Sequence, residues 1–220
     1  GLIEHRILNY IAENSPRSKA IHFIASVPKK YWGWIGSRYG ELRRMAYKLA
    51  MRSGLRGGVI MFHTFRIACM GCGSEKPEGG KTCLKCGSSQ FSWYLSPHFH
   101  MIGLGWIDGV KEINRETGWV LKNLGVRSSI SATALYILSH CGVHEDYHTT
   151  VWFGVLGYRN YKAPLKRAKD PKCPICDRDL QSVAWAGVGY WPIPQPEKAR
   201  GYYLEACGDW IYTGYNLVGH

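Results

Sequence analysis

Ser96-Pro97-His98-Phe99-His100-Met101-Ile102-Gly103-Leu104-Gly105-Trp106 is the stretch whose reading decides the fold. With the residues before it, it predicts a strand from Phe91 to Trp106. Successive side chains of a strand point to opposite faces, so His98 and His100 share one face and Phe99 takes the other. Two neutral imidazoles converging from one face make a metal site. The duller alternative is that one histidine closes a loop after Pro97 and the other packs.

Working upstream, Gly57-Gly58 opens a second strand, Val59-Ile60-Met61-Phe62-His63-Thr64-Phe65-Arg66-Ile67. Earlier still, Ala20-Ile21-His22-Phe23-Ile24-Ala25-Ser26-Val27 reads as a buried strand stopped by Pro28. Between these two, Leu42, Met45 and Leu49 recur at helical spacing with Ala46 and Ala50. Arg43, Arg44, Lys48 and Arg52 fall on the opposite face, and the pattern stops before Gly54. Downstream, a Gly-rich charged connection leads to a helix over Ser128–Ser139 and a strand over Thr150–Leu156.

The order is β-α-β-[insert]-β-α-β. It predicts an α+β fold with an antiparallel central sheet and both helices on one face, a ferredoxin-like or split βαβ plan. Residues 1–19 form an N-terminal helical segment and 20–160 the core. Residues 161–220 form a basic, cysteine-containing extension.

Cys69, Cys72, Cys83 and Cys86 are two CxxC pairs ten residues apart, with Gly71, Gly73 and Gly87 where tight turns around sulfur are needed. The spacing predicts a structural Zn²⁺ ribbon over 69–86, inserted at a hairpin tip. Reduced metal-binding thiolates point to a cytoplasmic location. Cys173 and Cys176 form a third knuckle without an obvious partner pair, Cys141 and Cys207 being the cysteines left over.

The 220 residues are 45% hydrophobic and carry a formal net charge of +12. That hydrophobic content suits a real core rather than a disordered tail. The positive field attracts polyanions, nucleic acid foremost. No stretch reaches the length of a membrane span, so no membrane partner is expected, and the opening Gly1-Leu2-Ile3-Glu4-His5 reads as the start of a fragment from a longer protein.

The run around His98-Phe99-His100 resembles the histidine-hydrophobic-histidine motif of HUH endonucleases, in the form found in rolling-circle replication initiators of small archaeal plasmids and viruses. Ile21–Pro28 and Gly58–Arg66 are similar to the first and second strand motifs of that family, and Gly118–Gly125 and Ala134–Gly142 to its later ones. The resemblance covers about residues 20–160 in the family's order.

The resemblance implies a tyrosine nucleophile at Tyr136, ahead of Tyr147. With Ala132, Thr133, Ser139 and His140 a turn to either side, it implies a single-tyrosine enzyme. It implies single-stranded DNA as the partner, cut and rejoined through a 5′-phosphotyrosyl intermediate. His98 and His100 would hold a divalent ion with His63 as third ligand, at the place where other members carry an acidic residue; His140 is the competitor. An all-histidine set favours Mn²⁺ over Mg²⁺. A transposase or relaxase shares this chemistry, and a non-catalytic zinc-ribbon nucleic-acid-binding module is the alternative from another class. Neither the origin sequence nor the oligomeric state is legible.

Overall fold

A computed structural model describes residues 2–76, 80–139, 141–142 and 148–164, and the strand backbones 181–187, 203–205 and 209–216. Helix α1 (Leu2–Asn14) precedes strand β1 (Ala20–Ser26). A 3-10 turn (Lys29–Tyr31) and the short α2 (Trp34–Ser37) lead into α3 (Tyr39–Arg52). Then come β2 (Leu55–Cys69), β3 (Phe91–Gly105), α4 (Val110–Thr117), β4 (Val120–Val126), α5 (Ile130–Leu138) and β5 (Thr150–Gly154). The later strands β6 (Gln181–Gly187), β7 (Tyr203–Glu205) and β8 (Asp209–Asn216) form a separate antiparallel sheet in the order β6-β8-β7.

The main sheet is five-stranded in the order β4-β1-β3-β2-β5, and every neighbouring pair is antiparallel. Two crossovers build it. The first, β1-α3-β2, leaves room for β3 between its strands, and the second, β3-α4-β4, is straddled across β1.

Strand alternation sorts the core onto the two faces. Ile21, Phe23, Ala25, Ile60, Phe62, Phe99 and Met101 face a stripe on α3, where Tyr39, Leu42, Ala46 and Ala50 follow helical spacing; Ile113 of α4 joins them. Each fully buried large side chain in this layer contributes about 1.5–3 kcal/mol. On the other face Ala20, Val59, Met61, Ile102 and Leu104 pack against Ile7 of α1 and Ile130, Ala134 and Ile137 of α5. Glu4 of α1 accepts bonds from the backbone N–H and hydroxyl of Ser131, which fixes the first turn of α5.

The structure corrects the expected placement of the helices. The helix around Tyr136 does not share a face with α3; it covers the opposite side of the sheet. The second helix on the α3 face is α4, and the strand beyond β1 is β4, both inside the stretch that reads as a charged connection. Gly109 and Gly118, at φ 64° and 77°, bracket α4. The strand at 150–154 instead pairs with β2 at the opposite edge.

Pro97 lies within β3, a central strand, although proline cannot donate to a ladder. The register with β2 shifts there, from His63↔His98 to Phe65↔Leu95, so the missing N–H coincides with a bulge, and the Pro97 carbonyl accepts from the Val27 N–H at 2.9 Å. Gly58 and Gly103 face each other across β2 and β3, and a Cβ on Gly58 would lie 2.5 Å from the Ile102 carbonyl oxygen. Among the described residues, no helix is long and apolar enough to cross a membrane.

Candidate metal centre

The pleat places His98 and His100 on the α5 face of β3, and the register sets His63 of β2 directly opposite His98. All three are buried, at 1–6% exposure. One ring nitrogen from each lies within 4.8 Å of those from the other two. Three imidazoles without an intervening carboxylate suit a divalent transition ion, and a set of three leaves coordination positions for a substrate oxygen.

Hydrogen bonds at 2.6 and 2.7 Å orient two of the rings. Nδ1 of His98 lies 2.6 Å from the Ser96 carbonyl oxygen, which only accepts, so Nδ1 carries the proton and Nε2 is the nitrogen left for a metal. Nδ1 of His100 lies 2.7 Å from Nε2 of His22, and Nδ1 of His22 in turn accepts from the Arg127 guanidinium at 2.9 Å. Burial, with Arg127 adding to it, pushes His22 down to about 4, so it is neutral near pH 7.

A cleft of about 510 Å³ opens over these rings. Tyr136 and Thr133 line it from α5, and Ser139 from the position just after that helix. The helix sorts its residues: Ile130, Ala134 and Ile137 are buried, while Tyr136 sits on the other side at 43% exposure. Arg66, Glu75 and Lys76 close the cleft toward the hairpin tip, and Arg127 closes it beside His22.

At that tip Cys69, Cys72, Cys83 and Cys86 converge within 4.8 Å of one another. None is disulfide-bonded; Cys69 and Cys86 Sγ are 3.4 Å apart, and Cys72 and Cys83 Sγ 3.5 Å. A tetrahedron with metal–sulfur bonds of about 2.3 Å has edges a few tenths of an ångström longer, so the thiols fit one tetrahedral ion. The two knuckles repeat one pattern. The Cys69 N–H donates to the Ser74 carbonyl and the Gly73 N–H to the Cys69 carbonyl; Cys83, Ser88 and Gly87 do the same. Gly73 and Gly87 take φ of 70° and 72°, a region costly for other residues. Hydrogen bonding to Ser74 pulls the Cys72 thiol down to about 6, while its cysteine neighbours, Cys69 foremost, push Cys86 up to about 12, so the four thiols share their protons unevenly.

Of the residues singled out from sequence, His63, His98 and His100 come together, Tyr136 lines their cleft, and the four cysteines form their own cluster. His140, Tyr147, Cys173, Cys176 and Cys207 lie outside the described residues. Cys141 is buried, its thiol donates to the Leu138 carbonyl, and burial pushes it up to about 12, as expected of an inert core thiol. Sequence reading missed His22 and Arg127. The available signal was His22 itself, a polar residue alternating with Ile21 and Phe23 and therefore on the face opposite them.

The two clusters are expected to load independently. His98→Ala should lower the metal content by one equivalent per chain and leave the cysteine-bound equivalent in place, as read by elemental mass spectrometry. Loss of both equivalents, or of neither, contradicts two separate centres.

No protein-family model, curated protein or solved structure matches this chain.

Proposed function

We propose that this chain is a metal-dependent tyrosine endonuclease of the HUH type, which nicks and rejoins single-stranded DNA as a rolling-circle replication initiator of an archaeal plasmid or virus. The observation that carries this reading is the shared cleft: three buried imidazoles on one wall and the Tyr136 phenol on the other. The interlocked crossovers and the strand order β4-β1-β3-β2 support the ferredoxin-like plan of that family, with β5 and α5 added to it.

A divalent ion, Mn²⁺ or Mg²⁺, held by His63, His98 and His100 would polarise the scissile phosphate and stabilise the charge that develops in an in-line displacement. The Tyr136 oxygen forms a bond to phosphorus while the bond from phosphorus to the 3′-oxygen breaks. The phenol gives up one proton and the departing 3′-oxygen takes one up, leaving a 5′-phosphotyrosyl chain and a free 3′-hydroxyl. Because the phosphotyrosyl bond conserves the energy of the broken phosphodiester, attack by a 3′-hydroxyl reverses the step and joins strands. The four-cysteine module is proposed as a structural zinc ribbon, since four thiolates leave no open coordination position.

The test is incubation of the chain with labelled single-stranded DNA carrying candidate hairpin origins, with Mn²⁺, with Mg²⁺ or with chelator, resolved on a denaturing gel. A covalent protein–DNA adduct formed with metal and lost with chelator is the expected result. Binding without any adduct in either metal would favour a non-catalytic nucleic-acid-binding module.

A further inference from the structure

We propose that Arg66 and Arg127 form a phosphate-binding subsite flanking the three-histidine centre, which grips the backbone phosphodiesters of single-stranded DNA next to the bond being cut. This inference rests on the endonuclease reading and adds the residues that hold its substrate.

Both arginines line the cleft of the imidazoles and Tyr136, Arg66 from β2 and Arg127 from the residue after β4. Arg66 extends β2 past His63 and donates to Ser26 Oγ at 2.9 Å and to Glu75 Oε1 at 2.5 Å. Arg127 follows β4, where its backbone N–H is anchored on the Ala20 carbonyl at 2.9 Å. In each, the Nε–H is buried with no hydrogen-bond partner among the described residues.

Charge points the same way. Among the described residues the cleft carries Arg66, Lys76 and Arg127 against the one carboxylate of Glu75. The Arg127 guanidinium donates to the His22 ring at 2.9 Å, and among the described residues no carboxylate pairs with it. A planar guanidinium suits a phosphate, which accepts two parallel N–H bonds.

The experiment measures binding of fluorescent single-stranded DNA by anisotropy across a salt series, with Mn²⁺ present and in a Tyr136→Phe background so that no strand is cut. Arg66→Gln and Arg127→Gln, each verified as folded by circular dichroism, are compared with Arg127→Lys and with Arg44→Gln on the outer face of α3. Each subsite variant is expected to weaken binding about tenfold and to flatten the plot of log K against log salt by about 0.7, one phosphate contact on a single strand. Arg127→Lys should keep the slope and lose part of the affinity, and Arg44→Gln should leave both closer to the parent. Unchanged slope and affinity in Arg66→Gln and Arg127→Gln, while the unmutated chain still forms its adduct, overturns the subsite alone. Absence of both binding and adduct in the unmutated chain overturns the subsite and the endonuclease reading together.

Discussion

Tyr136→Phe is expected to abolish the covalent adduct and to slow strand cleavage by at least about 10³-fold, some 4 kcal/mol in barrier height. The substitution removes one oxygen, and that oxygen is the proposed nucleophile. It should leave the fold alone: Tyr136 lies on the exposed side of α5, while Ile130, Ala134 and Ile137 hold the helix to the sheet. Substitutions at such positions usually change stability by no more than about 0.5 kcal/mol. Denaturant midpoint and metal content should therefore match the parent, so a loss of adduct reports chemistry. An adduct of undiminished yield would move the nucleophile to another residue.

Cys83→Ser is expected to have the largest effect on structure. Cys83 is 3% exposed, and its sulfur meets that of Cys72 at the centre of the module. A structural zinc site contributes on the order of 10–16 kcal/mol in small domains, and a segment of about twenty residues has little apolar burial to replace it. Backbone bonds at Cys69, Gly73, Cys83 and Gly87 hold the knuckles. Their amides should lose protection from hydrogen exchange by about 10²-fold or more, while amides of β1 and of β3 around Phe99 remain protected. The module also carries Glu75, which pairs with Arg66 at 2.5 Å, so the hairpin-tip wall of the cleft should loosen with it. Protection unchanged in Cys83→Ser would show that the knuckles stand without a metal.

How far the sequence was legible depended on how deeply each element is buried. β1, β2 and β3 lie inside the sheet and bury residues on both faces, so their long runs of Ile, Val, Phe and Met are unmistakable. α3 shows because Leu42, Ala46 and Ala50 repeat against an arginine-rich back. β4 was illegible because it is an edge strand in which Leu121 is the one fully buried residue, and Lys122 and Asn123 break its alternation. α4 buries Ile113 alone, and an eight-residue helix offers too few turns for a period to emerge. Its bracketing glycines were the sign that was missed.

The candidate site was legible in its pieces. His98 and His100 follow from the pleat alone, and the CxxC pairs from their spacing. His63 needs the register of the β2–β3 hairpin, which the bulge at Pro97 sets. Tyr136 cannot be tied to the imidazoles without knowing that α5 crosses the face opposite α3. The Arg127–His22–His100 chain joins residues up to 105 positions apart, and local periodicity carries no trace of such contacts.

The most direct test of the central claim is to locate the DNA on the protein. The adduct formed with Mn²⁺ would be digested with nuclease and trypsin and sequenced by tandem mass spectrometry. The peptide Ser128–Arg159 holds Tyr136, Tyr147 and Tyr158, so fragment ions must distinguish them. The account predicts a nucleotide linked through its 5′-phosphate to Tyr136; a nucleotide on any other residue, or no modified peptide, would contradict it.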